Sequence, residues 1–314
     1  MQTTTELTPN PLRGIGLKVI SVSIFVVMAV CIKSAAPNVP PGEAVFFRSI
    51  FAVPVIVAWL MWQHDLRHGL DTSNPFGHLW RGLVGSAAMA LNFTALGLLP
   101  LPEATALGYT APLLVVIFAA MFLGEQVRLF RLTAVFIGLI GVMIVLAPRM
   151  QILSFEEASK LQTIGAMAAL MGAVFAALAQ VFVRKLVQSE STAAIVFYFS
   201  INASVLSLFT VPFGWVMPNP VDFALLVCAG LCGGVGQILL TSAYRFAPVG
   251  VIAPFEYVSM ILALVIGYAL FDEIPTLPML AGAGLIVFAG LFIIWRERQL
   301  GLQRGSRKHL TPQG

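Results

Sequence analysis

The chain has 314 residues, of which 59% are hydrophobic and only 10% are charged. Soluble domains carry about 25% charged residues. The mean hydropathy of +0.92 is likewise that of a strongly apolar chain. This composition excludes a soluble enzyme, a nucleic-acid-binding protein, a disordered chain and a disulfide-stabilised scaffold. It predicts an all-α integral membrane protein. The formal net charge of +4 does not require an acidic partner, because the basic residues lie where membrane topology places them.

The first 14 residues are polar and lack the basic, apolar and small-residue regions of a signal peptide. We assign residues 1–14 to a cytoplasmic N-terminal tail. The apolar run that follows, 15–36, is long enough to span a bilayer and predicts a helix that is retained.

Ten segments meet the requirement for a transmembrane helix, which is about 20 mostly apolar residues. The connections between them are short and many contain proline, which favours a compact bundle of antiparallel neighbours. The segments run over residues 15–36, 42–63, 77–98, 103–123, 129–147, 162–184, 192–214, 221–244, 249–271 and 277–295.

The distribution of lysine and arginine predicts that both termini are cytoplasmic. With ten helices and this orientation, 14 of the 18 basic residues fall on the cytoplasmic side. They are Arg13, Lys18, Arg67, Arg81, Arg128, Arg131, Arg184, Lys185, Arg245, Arg296, Arg298, Arg304, Arg307 and Lys308. The opposite side receives Lys33, Arg48, Arg149 and Lys160.

The chain contains an internal repeat. A shift of 148 residues aligns 85–125 with 233–273 without a gap, and identical residues coincide at several positions. The coinciding pairs are Gly85 and Gly233, Ala95 and Ala243, Pro100 and Pro248, Tyr109 and Tyr257, and Glu125 and Glu273. Two halves of five helices each must enter the membrane from opposite sides, which makes the repeat inverted. In other folds such a repeat places the substrate site near the midplane between the halves.

Three stretches carry a resemblance to a known family: GEAVFFRSIFAVPVI (42–56), LPLPEATALGYTAPLLVVIFAAMFLGE (99–125) and APVGVIAPFEYVSMILALVIGYALFDE (247–273). Together with the five-plus-five repeat, they resemble the drug/metabolite transporter (DMT) superfamily, whose EamA-type domain would occur twice. The resemblance is nearest to the branch that takes up S-adenosylmethionine. It implies repeats over 15–147 and 162–295, a linker over 148–161 and a basic cytoplasmic tail over 296–314.

Glu256 is the clearest candidate for a functional residue. It lies roughly 13 Å along the ninth helix, near the midplane, where an ionisable group is costly and is functional by default. Pro254, two residues earlier, cannot donate a backbone hydrogen bond and loosens the helix. The carboxylate could hold a cationic amine or carry a coupling proton. The structural alternative is an ion pair with a basic residue of another helix, such as Lys33 or Arg48.

Three of the charged residues in the first two helices are candidates for the site. Glu43 suits the positive end of the second helix dipole, which is a purely structural explanation. Arg48, further inside, could bind a substrate carboxylate or pair with Glu43, Glu103 or Glu256. Lys33, at the outer end of the first helix, could belong to the cavity or could extend to the interface. Glu125 and Glu273 end the fourth and ninth helices, where each could form either a gate contact or a loop contact.

Neutral polar residues inside the segments complete the substrate-cavity candidates. Amides in four helices can line a cavity or join helices by hydrogen bonds; they are Asn92, Gln180, Asn202 and Gln237. Tyr109 and Tyr257 occupy equivalent repeat positions, where their rings could stack on a flat or cationic ligand or pack in the ordinary way. Tyr198 is a further ring with a polar tip.

The sequence therefore predicts a secondary active transporter in the bacterial inner membrane. Its expected substrate is a small polar metabolite: an amino acid or derivative, or a nucleoside-like or S-adenosylmethionine-like compound. Proton or ion coupling and membrane lipids complete the expected partners, with no nucleic acid, and the protein is expected to be a monomer or a homodimer. We expect no cofactor, no metal site and no enzyme activity, because neither a phosphate-binding loop nor metal-ligand spacing is present. The alternative is an accessory or lipid-handling membrane protein.

Overall fold

The computed structural model describes residues 11–64, 69–123, 129–147, 157–187, 189–246 and 252–308. Over these ranges the chain forms helices and contains no strand. The helices of the first half are α1 (Pro11–Ala35), α2 (Pro41–Ile50), α3 (Ala52–Trp62), α4 (Pro75–Leu98), α5 (Leu101–Gly108), α6 (Thr110–Leu123) and α7 (Leu129–Leu146). Those of the second half are α8 (Glu157–Leu186), α9 (Thr192–Leu208), α10 (Pro220–Phe246), α11 (Val258–Phe271) and α12 (Leu277–Lys308). Short 3₁₀ helices occupy Val211–Phe213 and Ala253–Tyr257.

Four of the predicted segments are interrupted. Segment 192–214 ends its α-helix at Leu208, before the 3₁₀ helix Val211–Phe213. Segment 42–63 divides into α2 and α3 at Phe51, and segment 103–123 divides into α5 and α6 at Tyr109. Pro54 and Pro112 follow these two breaks within three residues. Each proline lacks the N–H that would bond the carbonyl four residues earlier, which explains the interruption. Segment 249–271 contains the 3₁₀ helix Ala253–Tyr257, which includes Pro254, before α11 begins.

Helix ends also extend beyond the predicted segments. The first helix begins at Pro11, inside the predicted tail 1–14, and α8 begins at Glu157, inside the predicted linker 148–161. The last helix continues to Lys308, so much of the predicted basic tail is helical. Apolar composition locates the part of a helix that lies in lipid, and it carries no signal for polar turns beyond that part.

Within the described ranges, five helical stretches have the length and apolar composition to cross a membrane, with α2 and α3 taken together as one stretch. They are Leu12–Ala35, Pro41–Trp62, Lys160–Val183, Pro220–Ala243 and Leu277–Arg296. Shorter apolar helices cover Leu132–Leu146, Thr192–Leu208 and Phe255–Phe271. Large apolar side chains such as Trp62, Phe213 and Met217 are exposed on the outer surface. The chain is therefore a multi-pass membrane protein.

Helix pairing joins the two halves in a regular pattern. The most extensive packing is of α1 on α10, α4 on α8, and α7 on α12. The 148-residue shift relates α4 to α10, and α8 takes the position in the second half that α1 takes in the first. The α1–α10 pair thus corresponds to the α8–α4 pair, and α2 packs on α9 in the same reciprocal way. The core lies between the halves.

The contact between α7 and α12 depends on two glycines. A Cβ atom on Gly282 would lie 2.5 Å from the carbonyl oxygen of Gly141, and one on Gly141 would lie 2.7 Å from the carbonyl oxygen of Gly282. Glycine allows this close approach of two backbones because it has no side chain.

Candidate functional site

Glu256 lies in the 3₁₀ helix Ala253–Tyr257 and forms an ion pair with Lys18 of α1. The lysine side chain is only 2% exposed, whereas the glutamate side chain is 43% exposed. This is the kind of contact that the structural alternative expected, an ion pair with a basic residue of another helix, and the partner is Lys18 rather than Lys33 or Arg48, which were named as examples. The sequence analysis assigned Lys18 to a topology charge near the cytoplasmic end of the first helix. A lysine buried to this degree requires an opposite charge, and Glu256 supplies it from the other half of the chain.

Tyr109 and Tyr257 meet beside this ion pair. Their ring centroids are 5.0 Å apart in an edge-to-face arrangement, with 72° between the ring planes. The Tyr109 hydroxyl lies 2.5 Å from Ser259 Oγ and 3.4 Å from the backbone oxygen of Glu256. The break between α5 and α6 positions Tyr109, and the 3₁₀ helix positions Tyr257. The equivalent residues of the two repeats are therefore in direct contact at two interrupted helices.

Arg48 does not reach Glu256 and instead lies in a second cluster. Its guanidinium Cζ is 5.7 Å from the ring centroid of Phe199, and the Cζ of Arg81 is 3.8 Å from the same centroid. Both arginines are buried, with 3% and 6% exposure. Arg48 Nη2 donates to the Gly233 carbonyl oxygen at 3.4 Å. The Nε atom of Arg48 and the Nε and Nη1 atoms of Arg81 are buried without a hydrogen-bond partner.

Arg81 is absent from the site residues that the sequence predicted. It was assigned to the cytoplasmic topology charges because it lies near the start of segment 77–98. The helix in fact begins at Pro75, two residues earlier than predicted, so Arg81 lies in its second turn. The sequence gives no signal that separates a buried arginine at this depth from one that faces water or a headgroup.

Lys33 forms a buried contact between the halves rather than extending to an interface. Its Nζ lies 2.9 Å from Glu273 Oε1, and the two side chains are 12% and 15% exposed. Nζ also donates to the carbonyl oxygens of Leu99 and Leu96 at 2.6 and 3.3 Å, at the end of α4. Glu273 Oε2 accepts a hydrogen bond from the Leu101 N–H at 2.7 Å. Glu125, the repeat counterpart of Glu273, lies outside the described residues.

Three predicted site residues hold loops and helix ends in place. Glu43 Oε2 accepts a hydrogen bond from the Val216 N–H at 3.0 Å, in the connection between α9 and α10. The Tyr198 hydroxyl donates to the Leu70 carbonyl oxygen at 3.0 Å, and Asn202 Nδ2 donates to the His78 carbonyl oxygen at 3.1 Å. These contacts give each side chain a structural role.

The remaining three amides lie apart from one another. Asn92 is half-buried on α4 and faces Gly172 of α8, where an added Cβ would lie 2.8 Å from Asn92 Oδ1. Gln237 is half-buried on α10, and Gln180 is exposed on α8. Of the predicted residues, the structure thus brings Glu256, Tyr109 and Tyr257 together and places Arg48 in a separate cluster.

A polar cluster that the sequence analysis did not identify joins α4 to the start of α9. Glu190 Oε1 accepts hydrogen bonds from Ser73 Oγ at 2.8 Å, from the Ser73 N–H at 3.0 Å and from the Asn74 N–H at 3.1 Å. His78 Nε2 lies 3.3 Å from Glu190 Oε2. Burial opposes ionisation of Glu190, but the hydrogen bonds from Ser73 and the nearby His78 outweigh it and lower the pKa of the carboxyl below its usual 4.5.

Comparison with known proteins identifies the family to which the chain is similar. The model of the EamA-like transporter family matches residues 12–147 and again residues 163–296. The S-adenosylmethionine uptake transporter of Rickettsia felis (strain ATCC VR-1525 / URRWXCal2) is 28% identical over 298 residues, covering 95% of this chain and 96% of the relative. The pseudopaline exporter CntI of Pseudomonas aeruginosa (strain UCBPP-PA14) is 30% identical over 280 residues, covering 88% and 94% of the two chains.

A solved structure titled "Crystal structure of protein" has the same fold, with a TM-score of 0.66, 20% identity and coverage of 90% of this chain and 97% of that one. The matching family model accounts for most of the chain, once for each half. The chain belongs to the EamA-like transporter family of the drug/metabolite transporter superfamily.

Proposed function

We propose that the protein is a secondary active transporter that moves a small polar metabolite across the bacterial inner membrane by alternating access. Its family and the names of its relatives support transport rather than enzyme activity. One of these relatives is named an uptake transporter and the other an exporter. The substrate class that we propose is an amino acid derivative or a nucleoside-like compound, with S-adenosylmethionine as the first compound to test.

The proposed architecture has ten transmembrane helices in two inverted repeats, with both termini cytoplasmic. The reciprocal pairing of α1 with α10 and of α4 with α8 supports it, because a two-fold relation between the halves produces this pattern. In such an arrangement the substrate site lies between the halves, and rocking of one half against the other exposes it to each side in turn.

The Lys18–Glu256 ion pair carries the proposal. It joins the two halves, it lies beside a helix interruption, and only its carboxylate side is exposed. When a cationic substrate group or a proton takes the carboxylate, the ion pair that joins the two halves is weakened. Loss of a contact between the halves changes the balance between their two arrangements. The paired tyrosines next to Glu256 offer ring faces to a flat or cationic ligand.

The test is flux in proteoliposomes, guided by a thermal-shift screen of amino acids, nucleosides, sugars and S-adenosylmethionine. We expect a stabilising compound to accumulate in the vesicles, and Glu256→Gln to reduce its uptake by about tenfold or more, the equivalent of one lost interaction with a charged group. Asp272→Asn is the matched control. Asp272 is an exposed carboxylate at φ 52°, a left-handed conformation that asparagine also adopts.

Misfolding is separated from loss of function by a double variant. Glu256→Gln alone removes one charge of an ion pair whose lysine is buried, whereas Lys18→Gln combined with Glu256→Gln removes both charges. We expect the double variant to recover expression and monodispersity without recovering uptake. Full uptake by Glu256→Gln would exclude this site. No flux of any compound by the wild-type protein would favour an accessory or lipid-handling protein instead.

A further inference from the structure

Two positive charges surround one phenylalanine ring in the interior of the protein. Arg48 comes from α2, Arg81 from α4, and Phe199 from α9 of the other half. Arg81 is six residues beyond Pro75, roughly 9 Å along α4, and its guanidinium lies against Gly85, about one turn further into the helix.

The guanidinium groups lie directly on helix backbones. A Cβ on Gly233 would lie 2.6 Å from Arg48 Nε, and a Cβ on Gly85 would overlap Arg81 Nη1 and lie 2.8 Å from Phe199 Cε2. Gly85 and Gly233 are equivalent positions of the repeat. The absence of side chains at these two glycines therefore makes room for an arginine from each of two helices of the first half.

The charges of this cluster are not neutralised by the protein groups described. Over the ranges that the structure describes, no ion pair joins Arg48 or Arg81 to a carboxylate, although Glu43 and Glu103 are also buried in the first half. Arg48 Nε and Arg81 Nε and Nη1 are buried donors without an acceptor. Two like charges on one ring repel each other, and each unsatisfied charged donor adds a desolvation cost. A bound anion would remove both penalties.

We propose that Arg48 and Arg81 bind a carboxylate of the transported compound, with Phe199 supporting the group next to it. This inference rests on the proposed function and specifies its substrate as a compound with a free carboxylate. Guanidinium groups present paired, coplanar donors that match the two oxygens of a carboxylate. Glu256 lies in the separate cluster with Tyr109 and Tyr257, so the arginine site is proposed for the carboxylate alone.

The test compares compounds that differ only in the carboxylate. Binding to the purified wild-type protein in detergent is measured for S-adenosylmethionine against decarboxylated S-adenosylmethionine, methionine against methioninol, and histidine against histamine. Flux of each compound that binds is then followed in proteoliposomes. We expect binding and flux to require the carboxylate in at least one pair.

Variants then assign the requirement to the two arginines. Arg48→Gln and Arg81→Gln are expected to raise KM for the carboxylate compound by about 10–100-fold, the range for a charged hydrogen bond, with a much smaller change in kcat. Arg48→Lys and Arg81→Lys keep the positive charge and lose the paired, coplanar donors of the guanidinium. Their KM is therefore expected to lie between the values of the wild type and the glutamine variants, and they are expected to fold like the wild type. Lys160→Gln, an exposed charge on α8, is the control.

The outcomes separate this inference from the proposed function. Carboxylate-dependent binding without flux would contradict transport and leave the anion site standing. Flux that is equal for both members of every pair, or equal in wild-type and arginine variants, would overturn the anion site and leave transport standing. Binding of inorganic phosphate in preference to every carboxylate, or no carboxylate-dependent binding at all, would also overturn it.

Discussion

Glu190 is a buried carboxylate near a helix start whose pKa is lowered by the hydrogen bonds from Ser73, so it stabilises the fold in its charged form. A group with a depressed folded pKa contributes stability above its unfolded pKa, and this contribution is lost as the pH falls through the folded value. We expect Glu190→Gln to lower stability by about 1–2 kcal/mol at neutral pH, because the amide accepts the same hydrogen bonds less strongly.

The measurement is thermal unfolding of the wild type and Glu190→Gln in detergent from pH 7 down to about pH 3. The difference in Tm is expected to shrink as the pH falls below the usual carboxyl value of 4.5 and the wild-type side chain becomes protonated. His78→Asn, measured in the same series, is the control for the contribution of this neighbouring side chain. A Tm difference that stays constant down to the lowest pH would contradict the assignment.

An ionisable residue is conspicuous in the sequence where the surrounding apolar run is long, and it is not conspicuous near the end of a segment. Glu256 stands out because apolar residues surround it, and its role in the substrate cavity stays a prediction. Lys18 and Arg81 lie within about two turns of a helix start, where a charge can face water, a headgroup or the core. Only the packing of other helices decides among these, and that packing buries both residues.

At the scale of helices, proline positions account for the interruptions that place the candidate residues. Pro54, Pro112 and Pro254 were visible in the sequence, and the structure locates a break at Phe51, a break at Tyr109 and a 3₁₀ turn at Glu256. The periodicity of apolar residues cannot predict such a break, because a continuous apolar run looks the same on both sides of it.

Close contact between α7 and α12 makes a prediction at the same scale. Gly282→Val introduces a branched side chain where a Cβ alone would lie 2.5 Å from a carbonyl oxygen, so the helices must separate. We expect a loss of about 1–3 kcal/mol, the usual cost of overpacking, seen as a lower Tm in detergent. Gly284→Val is the matched control, because a Cβ at Gly284 meets nothing within 4 Å. Equal Tm values for the two variants would contradict the proposed contact.

At the scale of the whole molecule, the repeat predicted that the two halves would be related, and the reciprocal helix pairs have that relation. The charge contacts between the halves could not be predicted, because the two residues of each ion pair are far apart in sequence. The pairs are Lys18 with Glu256 and Lys33 with Glu273. The shift of 148 residues aligns equivalent positions, and it contains no information on which side chain of one half meets which of the other. Those pairs depend on how the halves are docked.

The Lys33–Glu273 ion pair holds the two halves together on the side that we propose faces away from the cytoplasm. Lys33 also donates to a carbonyl oxygen at the end of α4, and Glu273 accepts from an N–H at the start of α5. The ion pair therefore holds the end of α4 and the start of α5 in place. In an alternating-access cycle this contact has to open for the site to face that side. We therefore expect Glu273→Ala, which removes both interactions, to shift the population toward the arrangement that is open there.

The measurement is labelling of a single cysteine, Ala104→Cys, by a membrane-impermeant maleimide in a cysteine-free background. Ala104 packs against both main hydrophobic clusters, between the halves. Loss of about 1.4 kcal/mol from the closed arrangement corresponds to a tenfold change in its equilibrium, so labelling is expected to accelerate by about tenfold. Glu273→Gln, which keeps an acceptor for Leu101 and Lys33, is expected to have a smaller effect, and Lys160→Gln none. If Glu273→Ala labels no faster than Lys160→Gln, the ion pair only stabilises the fold and does not control opening.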